Sequence, residues 1–175
     1  EHINAKNNAD LIIHLGDFAD GGLAKDYTTS HEIMEQSIFP YFVCIGNHDC
    51  LANGRKIYAE MFGAENFTID TEQAVLIFFN DIFWETESTP DFTWLENQLK
   101  LYVNKQIFVF AHIPPFGDQF DAESEKKYSQ LMAKYEVQLS VHGHVHRYQY
   151  QDIYQNGTKY LCHPSPEKKR YYELI

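Results

Sequence analysis

A chain of 175 residues with 44% apolar and 15% aromatic content carries enough hydrophobic surface to bury a core, which excludes a disordered segment. A formal net charge of −11 weighs against tight, nonspecific nucleic-acid binding, which needs Lys and Arg to displace counterions. No apolar run reaches the roughly 18 residues that a membrane-spanning helix requires, so no span is expected.

Glu1 to Asp10 is polar and helix-like and opens without Met. The N-terminus therefore reads as incomplete, any targeting peptide would have preceded it, and the compartment, cytoplasmic or exported, stays open. Leu11 to Leu15 is the first short apolar run that reads as a strand, and it hands over to Gly16-Asp17-Phe18-Ala19-Asp20. A helix is predicted over Thr29 to Ser37. Tyr41 to Ile45 is the second strand and ends in Gly46-Asn47-His48-Asp49. Arg55 to Phe62 reads as a helix and Ala74 to Phe79 as a strand. The best-marked helix covers Asp91 to Val103. Thr89 suits its N-cap, Pro90 its first turn, and Phe92, Leu95, Leu99 and Tyr102 line one face. Ile107 to Ala111 is a strand leading into His112-Ile113-Pro114-Pro115. A helix over Ser124 to Tyr135 and a strand over Val137 to Val141 precede His142-Gly143-His144-Val145-His146. Tyr148 to Tyr154 and Thr158 to Cys162 flank Asn156-Gly157, a hairpin signal, and Tyr171 to Ile175 reads as a closing strand.

Most of these strands are near-continuous apolar runs, as expected when both faces are covered. Strands alternating with helices and followed by hairpins predict one α/β or α+β layered domain over residues 1–175. Cys44, Cys50 and Cys162 are odd in number and irregular in spacing, so they form no disulfide framework. Cys44 reads as a small core residue.

The chemistry collects at the strand ends. Four of them carry Asp17 and Asp20, Asn47 and His48, His112, and His144 and His146. Converging on one sheet edge, they would offer carboxylate, amide and imidazole donors to a borderline divalent metal. No thiolate joins the set, which favours an open catalytic site over a closed structural zinc site. Taken singly, each residue has an ordinary explanation: Asp17 and Asp20 suit turns or caps, and His112 suits a hydrogen-bonded loop position. All four in this order and placement are a poor match to coincidence. His14 reads as a packed strand residue, and His31 and His163 as surface or loop residues.

The order Gly-Asp-x-x-Asp, Gly-Asn-His-Asp, a lone His after a strand, then Gly-His-x-His resembles the calcineurin-like metallophosphoesterase superfamily, near its purple acid phosphatase and class III phosphodiesterase branch. The resemblance implies a four-layer αββα sandwich with two divalent ions (Mn, Fe or Zn) at the strand ends. It implies Asp17 as the bridging carboxylate, with Asn47, His112 and His144 completing the second site and His146 binding at the first. It makes His48 the residue that protonates the leaving oxygen or binds the phosphoryl oxygen, with Asp20 orienting it and raising its pKa. Asp20 stands where purple acid phosphatases carry an iron(III)-binding Tyr, which implies a divalent-metal relative. The family's upstream Asp-x-His is absent from the 16 residues before Asp17, so the chain reads as lacking a first strand.

The implied reaction is hydrolysis of a phosphate mono- or diester by a metal-bound hydroxide. The rivals are a nucleotide phosphodiesterase or nuclease on the same scaffold, and a non-catalytic metal-binding relative. A small phosphoester or nucleotide is the expected substrate, and the acidic balance weighs against long nucleic acid. Arg147 is a candidate phosphate contact, with a surface role as its alternative. Asp49 is expected to hydrogen-bond the loop carrying Asn47 and His48. Gly-His-x-His, taken as extended, would point both imidazoles the same way.

Overall fold

The computed structural model describes Asn4, Ala5 and residues 9–165. The predicted closing strand at Tyr171 to Ile175 lies outside them. Strand β1 (Ile12–His14) pairs in parallel with β2 (Tyr41–Val43) across helix α1 (Ala24–Met34). A short 3₁₀ turn (His48–Cys50), α2 (Gly54–Phe62), β3 (Phe67–Asp70), β4 (Ala74–Phe78), α3 (Phe92–Leu101), β5 (Gln106–Phe110), α4 (Ala122–Lys134), β6 (Leu139–His142), β7 (Gln149–Gln151) and β8 (Lys159–Cys162) follow. The larger sheet has six strands in the order β3-β4-β5-β6-β8-β7. Its centre, β4-β5-β6-β8, is parallel, and the edges β3 and β7 run antiparallel to their neighbours.

Side-chain alternation along these strands builds the layers. On β4 and β5, Val75, Ile77, Ile107 and Val109 face α3 and α4, where Phe92, Leu95, Leu99, Tyr128, Leu131 and Met132 meet them. The intervening Leu76, Phe78, Phe108 and Phe110 face the other way, onto Ile13, Leu15, Phe42 and Cys44 of the smaller sheet. The far side of that sheet packs Tyr41, Val43 and Ile45 against Tyr27 of α1 and Ile57 and Tyr58 of α2. The result is the expected αββα stack. Each fully buried large apolar side chain in it contributes about 1.5–3 kcal/mol.

Several expectations need adjustment. β3 is an addition: Phe67 and Ile69 point inward while Thr68 and Asp70 point away, and the strand lies at a sheet edge. Helix α1 begins at Ala24, not Thr29, and its N-cap, Leu23, makes no side-chain cap bond. Helix α3 is capped by Asp91, whose carboxylate accepts from the Trp94 N–H at 2.9 Å, rather than by Thr89. The hairpin is not tight. Asp152 accepts the N–H groups of Asn156 and Gly157 in a longer loop between β7 and β8. All three cysteines are free, with Cys44 buried. Among the described residues no helix is long and apolar enough to cross a membrane.

Candidate metal centre

The C-terminal ends of β1, β2, β4, β5 and β6 deliver Asp17, Asn47, Asp81, His112 and His144 to one rim, the usual place for a ligand in an open α/β sheet. Backbone packing makes the convergence close. Gly16, at φ 91°, lies where an added Cβ would collide with the His112 ring and come within 2.9 Å of the Gly46 Cα. A Cβ on Gly46 would collide with the Asp17 backbone and carboxylate. Three loops therefore meet with no room for side chains between them. Asp17 and His144 themselves adopt left-handed conformations, φ 57° and 59°. Non-glycine residues hold such conformations at a cost that functional sites commonly carry.

The donor atoms face one another. Asp17 Oδ2 lies 3.2 Å from His112 Nε2. Asn47 Oδ1 lies 3.1 Å from His112 Nε2 and 3.2 Å from His144 Nδ1. Ligand atoms of Asp17, His112 and His144 all fall within 4.8 Å of each other. His112 is 2% exposed, and its Nδ1 sits 2.5 Å from the Leu15 carbonyl oxygen. That carbonyl can only accept, so Nδ1 carries the proton and Nε2 is left to face the cluster, as in metal-binding histidines. Burial alone would lower the His112 pKa, but the Asp17 carboxylate and the Leu15 carbonyl outweigh it and the net shift is upward. Asp17 shows the mirror image: burial opposes ionisation, and His112 and the His48 N–H override it, so its pKa is lowered. The two shifts are one interaction seen from its two ends: the Asp17 carboxylate and the His112 ring stabilise each other's charged forms. Burial, then the neighbouring His112, lower the pKa of His144 and keep it a neutral donor. Two imidazoles, one amide oxygen and one carboxylate fit a borderline divalent ion.

Two buried carboxylates hold the loops. Asp49, fully buried, accepts N–H bonds from Phe18 (3.1 Å), Ala19 (2.8 Å) and Gly46 (2.8 Å), and so ties the Asp17 loop to the Asn47 loop. Asp81 accepts from the N–H groups of His112 (3.2 Å) and Ile113 (3.1 Å). Burial pushes the Asp81 carboxyl up to about 7, against the pull of those bonds. Asp49 answers the sequence expectation, whereas Asp81 was passed over. Its position directly after an apolar run, like that of the Gly-Asp loop after β1, is the signal that marks it. Replacing Asp49 by Ala would orphan three buried N–H groups. It is expected to cost at least about 3 kcal/mol, from hydrogen bonds to a charged group worth ~1.5–3 kcal/mol each. Urea denaturation checks this, and a loss below about 1 kcal/mol would show that the loops register without it.

His48 stands on the 3₁₀ turn with its backbone N–H on Asp17 Oδ1 at 3.0 Å. Its Nδ1 lies 2.6 Å from the Asp20 carbonyl oxygen and 3.4 Å from the Asp20 carboxylate, which is almost fully exposed. Burial lowers the His48 pKa, but the Asp20 carbonyl and the Asp17 and Asp20 charges prevail, so it is raised. Asp20 orients His48 mainly through its backbone. The Gly143–His146 segment is not extended. β6 ends at His142, and both His144 and His146 have positive φ, so the extended backbone on which the expected parallel pointing of the two rings rested does not hold. His144 joins the cluster, while His146 and Arg147 are exposed beyond it. His142 turns into the core, 2.8 Å from Ser140 Oγ and stacked on Tyr160. Glu85, also overlooked, accepts from Asn47 Nδ2 at 3.1 Å.

Residues 1–148 match the model of the calcineurin-like phosphoesterases. The chain is 28% identical over 164 residues to a probable glycerophosphodiester phosphodiesterase of Arcobacter nitrofigilis, covering 83% of this chain and 60% of that protein. It is 24% identical over 169 residues to a 3′,5′-cyclic-nucleotide phosphodiesterase of a Nostoc species, covering 88% and 63%. The chain thus spans about three fifths of the length of these relatives. A dimetal phosphatase from Danio rerio superposes with a TM-score of 0.72 at 11% identity, covering 90% of this chain and 73% of that one, which establishes likeness of fold. The chain belongs to the calcineurin-like phosphoesterase family.

Proposed function

We propose that the protein hydrolyses small phosphoesters, diesters in particular, at a site holding two divalent ions. The observation that carries this reading is the meeting of Asp17 Oδ2, Asn47 Oδ1, His112 Nε2 and His144 Nδ1 at one rim of the sheet. Asp17 would bridge the two ions, Asn47, His112 and His144 would complete one position, and His146 would serve the other. When bound, divalent ions such as manganese, iron or zinc supply Lewis acidity toward the phosphoryl oxygens and acidify the attacking water toward neutral pH.

The chain's own groups do the rest. Asn47 contributes a neutral oxygen, so ligation adds no second carboxylate beside Asp17. His48, with Nδ1 committed to the Asp20 carbonyl, presents Nε2 as the proton donor for the leaving oxygen. Arg147 stands on the same loop as His144 and His146, where a guanidinium suits a phosphate. The names of the two phosphodiesterase relatives support a diester, and the net charge of −11 weighs against long polynucleotides.

With added Mn²⁺, the chain is expected to cleave bis(p-nitrophenyl) phosphate faster than p-nitrophenyl phosphate and to leave plasmid DNA intact. Elemental analysis should find metal on the same sample. Hydrolysis that survives exhaustive chelation, or none from fully loaded protein, would overturn the reading.

A further inference from the structure

Asn47 is the one amide of the cluster, and an amide has two unlike ends. Its Oδ1 lies between His112 Nε2 and His144 Nδ1, and its Nδ2 donates to Glu85 Oε1 at 3.1 Å. An ionised carboxylate accepts and cannot donate, so only the NH₂ end of Asn47 can face Glu85. A flipped amide would set two acceptors against each other and turn N–H groups toward the cation position.

Glu85 comes from a different part of the chain, in the segment between β4 and α3, and that segment is well anchored. Asn80 Oδ1 accepts from the Ile82 N–H at 2.9 Å, and Asn80 Nδ2 donates to Glu65 at 2.8 Å. Thr86 Oγ1 donates to the Ile82 carbonyl at 2.6 Å. Glu85 Oε2 is buried and, among the described residues, has no hydrogen-bond partner. A carboxylate oxygen in that state is disfavoured, and packing alone would be served better by Gln or Leu. A cation on Oδ1 polarises the amide and strengthens the bond from Nδ2 to the carboxylate, which offsets the cost. We propose that Glu85 is a positioning residue that locks the Asn47 amide with its oxygen toward the metal position. The inference rests on the functional reading above, in which Asn47 is a ligand.

The test is Mn²⁺ affinity by equilibrium dialysis, with metal-free melting as a check on folding. Glu85→Ala is expected to raise the Mn²⁺ dissociation constant by roughly 10–100-fold, the scale for losing a partner that orients a ligand. Glu85→Gln can turn either its oxygen or its NH₂ toward Asn47, so it is expected to bind Mn²⁺ more weakly than wild type but more tightly than Glu85→Ala. In an Asn47→Asp background, adding Glu85→Ala should cost no affinity, because a carboxylate offers oxygen in either orientation and a like charge is removed. Wild-type affinity in Glu85→Ala, or an equal loss in both backgrounds, would overturn the positioning role. If the Ala variant melts early, the same two-background comparison made with Glu85→Gln decides the matter, wild-type affinity or an equal loss in both again overturning it. Wild-type protein that binds no Mn²⁺ would overturn the functional reading itself, a result distinct from failure of the Glu85 arms.

Discussion

Asp17→Asn is expected to abolish both Mn²⁺ retention and phosphoester hydrolysis while leaving the fold intact. The substitution is clean. Asp17 has φ 57°, a conformation that Asn tolerates better than almost any other residue with a side chain. Asn also keeps Oδ1 as the acceptor for the His48 N–H. What changes is Oδ2, which faces His112 Nε2 at 3.2 Å and would become an amide nitrogen. The only carboxylate among the clustered donors is lost, and an N–H group points where a cation belongs. Because Asp17 is assigned to both ions, one change removes the bridge. The loss of affinity should exceed the roughly 10–100-fold that removal of an outer partner costs. Elemental analysis after desalting, run beside the diesterase assay, checks it. Full metal retention in Asp17→Asn would end the ligand assignment.

How much of this was legible in the sequence follows from what each residue type can encode. β1, β2, β4, β5 and β6 were readable because most are covered on both faces and appear as unbroken apolar runs. β3 was not, since an edge strand of four residues, two of them inward, leaves too short a pattern. The start of α1 escaped because Leu23 carries no capping chemistry and only Tyr27 of the helix is buried. The family resemblance implied Asp20 as the partner of His48, yet the shorter contact is from its carbonyl, a group every residue has. The backbone at His144 and His146 was misjudged for a related reason. Positive φ at His144 and His146 is a backbone feature that no spacing rule records. Asp81 and Glu85 act on loops 31 and 38 residues away, so the apolar run before Asp81 marks a strand end but not the loop it holds, and nothing local marks Glu85.

His48→Ala separates proton transfer from metal binding. The fold should survive, since the ring is partly exposed and the bond that fixes the loop, from the His48 N–H to Asp17 Oδ1, belongs to the backbone. Metal content should match wild type, because the imidazole is not among the clustered donors. Turnover on a diester with an alkyl leaving group should fall by about 10²–10⁴, the scale of general-acid catalysis. With p-nitrophenoxide, which leaves without a proton, the loss should be much smaller. The pH profile gives a further check. The net shift of His48 is upward despite burial, because the Asp20 carbonyl and the Asp17 and Asp20 charges stabilise the imidazolium. The proton-donating form therefore persists to higher pH than for an ordinary histidine. Wild-type turnover of the alkyl ester should decline as pH rises through that raised pKa, and His48→Ala should lack this limb. Equal losses on both leaving groups would move His48 from proton donor to phosphate-binding residue, and unchanged turnover of the alkyl ester would remove it from the chemistry.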